Sequence, residues 1–146
     1  MNKIHQKWMG VALKEAEMAF RNKEIPIGAI IVKDNQLISK GYNQVELLKD
    51  ATAHAEMLAI TSASSFLNDW RLTDCDIYIT LEPCCMCAGA IVKSRIKNVF
   101  FGAYNQSEGC VSSLYNICND VRLNHQCGVQ GGILSDECSY LLKSFF

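Results

Sequence analysis

Two short clusters limit what this chain can fold into more than anything else in it: Ala53-His54-Ala55-Glu56 and Glu82-Pro83-Cys84-Cys85-Met86-Cys87. Reduced to chemistry they read His-x-Glu, then Pro-Cys-x-x-Cys. Cys84 and Cys87 are three apart at the start of a helix, which puts both sulfurs on one face. The helix N-terminus favours negative charge and so favours thiolates. Pro83 suits the entry to that helix. His54 and Glu56 are two apart, and inside a regular helix they would diverge by roughly 200°. They converge only where the backbone is not yet regular, so a helix has to begin just after Ala53. The fold must therefore aim two helix N-termini at one point.

Two thiolates, one imidazole and an open position make a catalytic zinc site, one ion per chain, held by His54, Cys84 and Cys87. Zinc lowers the pKa of water in the open position toward about 7. Glu56 is left beside the metal as a general acid–base group. Competing readings exist for each part. A lone CxxC is also a redox pair or half of a structural site. A structural site needs a fourth protein ligand, for which the cluster His125-Gln126-Cys127 could be offered. A non-catalytic, zinc-stabilised binding module would have no use for Glu56.

Length and composition narrow the class. The 146 residues predict a single domain, 1–146, long enough to bury a core without staples. At 49% hydrophobic and 20% charged, the chain is expected to be globular. Its longest apolar runs, such as 27–32, are too short to span a bilayer, so no membrane partner is expected. The start carries Lys3, His5, Gln6 and Lys7 and no apolar signal core, which predicts a cytoplasmic protein. Eight cysteines could suggest a disulfide scaffold, but their spacing lacks a small-domain framework. The six outside the metal set are expected to pack as reduced, small hydrophobes. A net charge of −1 leaves no basic footprint, so any RNA must be held by a local patch.

Taken in order, the apolar periodicity predicts a helix over 5–22 closed by Pro26, and a buried strand over 27–32. A turn at Asp34-Asn35 leads to a hairpin partner over 37–42. A polar connection runs over 45–52. A helix over 53–66, a strand over 76–81, a helix over 84–94 and a strand over 98–103 follow. Residues 104–126 read as a long loop with one helical turn near Leu114. A weak strand over 128–133 precedes a last helix to 146, with Ser135 as its N-cap. The order α-β-β-α-β-α-β-β-α predicts an α/β fold, a single mixed five-stranded sheet covered by helices.

The combined pattern resembles the signature of the zinc nucleobase deaminases. In that chemistry Glu56 would pass the water proton to a ring nitrogen and later protonate departing ammonia. Beyond the zinc cluster the chain resembles the bacterial tRNA adenosine deaminases over nearly its whole length. The residues that carry the likeness are Ile25-Pro26-Ile27-Gly28-Ala29, Gly41-Tyr42-Asn43, Thr52 to Glu56, Thr80 to Cys84, Met86 to Ala90, Ser94-Arg95-Ile96, Phe101-Gly102-Ala103, Leu123-Asn124-His125 and Gly132 to Cys138. The resemblance implies a cytidine-deaminase-like three-layer α/β/α fold and a homodimer. It also implies hydrolytic deamination of adenosine to inosine at the wobble position of a tRNA anticodon loop. A free guanine or cytosine deaminase on the same scaffold is the alternative.

The resemblance assigns substrate binding to Asn43, Ile27, Ala55 and Pro83. By itself Asn43 is equally an asparagine ending a strand. Arg71, Asn105, Asn124 and Phe145 are candidate RNA contacts, Phe145 by stacking on an unpaired base or else simply packing the last helix. Asn105 stands where the family commonly has aspartate, near the expected ribose backbone, which predicts weak activity on a DNA version of the loop. Some relatives continue past residue 146 with a basic tail, so affinity is expected to rest on few phosphate contacts, with Lys93, Arg95 and Lys97 as further candidates.

Overall fold

The computed structural model describes residues 2–146. Helix α1 (Lys3–Arg21) opens on Asn2, whose side chain accepts a hydrogen bond from the Ile4 N–H at 2.8 Å. Its buried stripe is Trp8, Met9, Ala12, Ala16 and Ala19. Strands β1 (Gly28–Lys33) and β2 (Gln36–Tyr42) form the expected hairpin. Its turn residues Asp34 and Asn35 both take positive φ, a conformation their short polar side chains tolerate. Helices α2 (Val45–Leu48) and α3 (Ala55–Leu67) follow, then β3 (Cys75–Leu81), α4 (Cys85–Lys93), β4 (Asn98–Ala103), β5 (Gly128–Gln130) and α5 (Ser135–Phe145).

The five strands make one mixed sheet in the order β2-β1-β3-β4-β5. β1 is antiparallel to both neighbours, and the β3–β4 and β4–β5 pairs are parallel. Alternate residues divide two cores. Ala29, Ile31, Ile77, Ile79, Val99 and Phe101 pack with α3 and α4 on one face. Ile30, Val32, Tyr78 and Phe100 pack with α1 and α5 on the other. The result is the expected α/β/α sandwich. Strands buried on both faces read as continuous apolar runs, which is what 27–32 and 77–79 are.

Four local expectations need correction. The connection over 45–52 contains α2, whose first amides donate to a distant carboxylate: Glu46 N–H and Leu47 N–H reach Glu24 at 3.1 and 2.7 Å. No local cap signals that, so sequence periodicity misses it. The turn expected near Leu114 is a 3-10 turn at Ile117–Asn119 instead, where Cys118 is buried against the core. β5 ends at Gln130, because the chain then turns through Gly132 at φ 86°. Ser135 is the first residue of α5 rather than its cap. That place is taken by Leu134 in left-handed backbone, and the Cys138 N–H bonds its carbonyl at 3.0 Å.

Candidate active site

The site forms along one edge of the sheet because of strand register. Gly28 pairs with Tyr42, Ala29 with Ile79, and Leu81 with Ala103. The start of β1 and the ends of β2, β3 and β4 therefore lie side by side, and Ile27, Asn43, Glu82 and the chain beyond Ala103 converge there. Helix α3 is brought down onto β2 at Gly41, where a Cβ would sit 2.5 Å from the Ala55 carbonyl oxygen. The Ser39 hydroxyl fastens the same contact by donating to the Ala59 carbonyl at 2.8 Å.

His54 is the N-cap of α3, in extended backbone with φ −75° and ψ 153°. Cys84 is the N-cap of α4, with φ −73° and ψ 178°. Neither side chain caps its own helix, so both project onward. Cys87 lies three residues into α4 and points back to the same place. The sulfurs of Cys84 and Cys87 each lie 3.6 Å from His54 Nδ1, and the three ligand atoms all lie within 4.8 Å of one another. A tetrahedral zinc with Zn–S about 2.3 Å and Zn–N about 2.0–2.1 Å would separate sulfur from nitrogen by about 3.6 Å. The donor set fits zinc in both chemistry and spacing.

Electrostatics agree. Cys84 is held down to about 3, chiefly by a hydrogen bond with the Cys87 thiol, with His54 adding to it against the cost of burial. The same bond, together with burial, pushes Cys87 upward. The hydrogen bond with Cys84 raises His54. Glu56, only 4% exposed, is pushed up to about 7 by burial.

His54, Ala55 and Glu56 line a cavity of about 840 Å³ together with Ile27, Asn43, Glu82, Cys84, Asn105, Glu108 and Phe145. Asn43 is buried, and its side-chain amide makes none of the hydrogen bonds found among the described residues. Pro83 is buried and is not among the lining residues; its carbonyl accepts from the Cys110 N–H at 2.8 Å. Phe145 packs the last helix, meeting Phe20 edge-on at 6.1 Å, and also lines the cavity. Arg71 and Asn124 are not among the lining residues. Arg71 lies over the Trp70 ring at 4.5 Å and bonds Asp69 at 3.2 Å. His125, offered above for a structural zinc site, bonds the Ile96 carbonyl at 2.8 Å, and the metal-competent group among the described residues contains neither it nor Cys127.

Glu82 and Glu108 are among the cavity residues that sequence reasoning missed. Glu82 precedes the Pro-Cys pair, but its partners stand 23–31 residues further on and give no local signal. Burial would raise its carboxyl; hydrogen bonds from Ser113, Ser112 and Asn105 outweigh that and hold it below the ordinary value. Glu108 sits on the loop that reads as featureless from sequence, and its charge helps raise His54.

Residues 2–103 match the family model for the cytidine and deoxycytidylate deaminase zinc-binding region. Among curated proteins, the tRNA-specific adenosine deaminase of Aquifex aeolicus is 50% identical over 139 residues, covering 95% of this chain and 91% of that protein. The enzyme of the same name from Streptococcus pyogenes serotype M1 is 47% identical, covering 95% and 81%. The chain belongs to the tRNA-specific adenosine deaminase family. A solved structure from work on A-to-I editing by deaminases at the wobble position of transfer RNA superposes with TM-score 0.89 at 37% identity, covering 92% of this chain and 98% of that one. His54, Cys84 and Cys87 are thus placed to hold the zinc of this deaminase family.

Proposed function

We propose that this chain converts adenosine to inosine at the wobble position of a tRNA anticodon loop, taking up water and releasing ammonia. The observation that carries the reading is a buried glutamate beside a two-sulfur, one-nitrogen ligand set in a cavity roomy enough for a nucleotide. His54, Cys84 and Cys87 would hold the zinc, which when bound would supply Lewis acidity and a water of lowered pKa. Glu56 takes a proton from the attacking water and delivers it to the adenine ring nitrogen. It then takes the proton of the added hydroxyl and passes it to the amino group, which leaves as ammonia. Burial suits Glu56 to both tasks, because a carboxyl poised near 7 both accepts and donates at neutral pH.

Asn43, with its amide free, orients the base by hydrogen bonding, and Ile27 and Ala55 shape the pocket around it. The target base enters by flipping out of the loop, which single-stranded RNA permits at low cost. Asn105 and Phe145 on the cavity are the better placed of the four candidate RNA contacts. Arg71 and Asn124 stand off it and serve more distant parts of the RNA. Asn105 Oδ1 already accepts from the Glu108 N–H and the Ser107 hydroxyl, a role an aspartate would fill equally. Its remaining amide N–H₂ is a donor that aspartate lacks. The protein works as a homodimer in the cytoplasm.

Side-by-side assays of an anticodon-loop RNA hairpin, its DNA counterpart and the free bases test the reading. Inosine in the RNA hairpin, weaker product in DNA, and no turnover of free adenine, guanine or cytosine is the expected result. Rapid deamination of free guanine or cytosine with none on the hairpin would overturn it.

A further inference from the structure

Glu82 immediately follows β3 and is 1% exposed. Among the described residues it has no cationic partner. Its charge is met instead by one loop. Oε1 accepts from the Asn105 N–H at 3.1 Å and from the Ser113 hydroxyl. Oε2 accepts from the N–H groups of Val111, Ser112 and Ser113 at 3.2, 2.8 and 2.8 Å. The loop closes so tightly that a Cβ at Gly109 would lie 2.4 Å from the Glu82 carboxyl carbon. Residues 105–113 are therefore wound around one carboxylate. That loop also forms a wall of the substrate cavity, through Asn105 and Glu108. It is tied to the metal-bearing helix as well, by the Cys110 N–H bond to the Pro83 carbonyl.

We infer that Glu82 is a positioning residue for substrate: its carboxylate holds residues 105–113 as the wall that meets RNA beside the target base. The inference rests on the RNA-deaminating reading above. Buried carboxylates of this kind hold a backbone firmly, because leaving any of the N–H groups unpaired carries a desolvation penalty. The wall is thereby preorganised before RNA arrives, and ordering it does not draw on binding energy. Glu82 touches neither zinc ligands nor the reacting atoms by these contacts, so its effect belongs in binding rather than in the chemical step.

The test is Glu82→Gln, which keeps the size but replaces one acceptor oxygen with an N–H₂ group facing N–H donors. The variant should retain its zinc. Its KM for the RNA hairpin should rise roughly tenfold or more while kcat stays within about threefold. Hydrogen exchange should quicken at the amides of residues 105 and 111–113 and stay unchanged in β3 and β4. An unchanged KM, or a fall in kcat at unchanged KM, would overturn the inference. If that variant does not fold, Ser113→Ala carries the test, since it removes one donor only. A KM raised about two- to fivefold at constant kcat supports the inference, and an unchanged KM sinks it. A wild-type chain inactive on the hairpin would defeat the functional reading itself. Wild-type activity with identical variant kinetics would defeat only the role of Glu82.

Discussion

At His54 and Cys84 the backbone is extended and the next residue begins a helix. That shared position solves the problem set by His-x-Glu spacing: the imidazole leaves before the helical turn starts, and Glu56 follows from within it. Cys87→Ala removes one of the two sulfurs 3.6 Å from His54 Nδ1, so metal analysis should find most of the zinc lost. Full retention would exclude this ligand set. Glu56→Ala should keep fold and zinc and lose deamination by roughly 10²–10⁴-fold, the usual weight of a general acid–base group. Near-normal turnover in a zinc-loaded variant would remove Glu56 from the chemistry. These residues were legible in the sequence because ligand chemistry and helix-start geometry are both local. Glu82 was not, because its meaning lies in five donors from a loop far along the chain.

Elements were legible to the degree that their apolar periodicity was strong. The two-faced burial of β1 and β3 and the stripe of α1 needed no tertiary information. α2 and the turn at Ile117–Asn119 did need it, since the first is capped by Glu24 and the second is held by a buried cysteine. The contact between α3 and β2 carries His54 into place, and Gly41 permits it. Gly41→Ala sets a methyl 2.5 Å from the Ala55 carbonyl oxygen and 2.9 Å from the Ala59 nitrogen, both of them backbone. Overpacking of this sort costs about 1–3 kcal/mol, which should lower Tm by roughly 3–10 °C. Zinc affinity should fall with it, because His54 moves with α3. A thermal melt and a metal-competition titration together check this; an unshifted melt would show that the helix yields freely.

On the scale of the whole molecule, no helix among the described residues is long and apolar enough to cross a membrane. Helix α4 buries Ile91 and Val92 but leaves Met86 and Ala90 only partly covered. An apolar helix with more faces than its own core uses is suited to a second copy of the chain. Sedimentation at micromolar concentration should therefore find a dimer, and monomer alone would contradict the proposed assembly. With a net charge of −1, such a protein attracts RNA through local contacts rather than through its overall field.

The amino-acid order alone determined the zinc ligands to expect, the residue left over for proton transfer, and the succession of strands and helices apart from α2. Each of these follows from spacing within a few residues, where backbone geometry is known in advance. Tertiary structure alone decided which loop walls the cavity and what holds it there. Strand register laid Ile27, Asn43 and Glu82 along one sheet edge. A single buried carboxylate then gathered residues 105–113, which carry no periodicity of their own. Such a loop has no local preference strong enough to read; its conformation is set by the cost of leaving a buried charge and its donors unpaired.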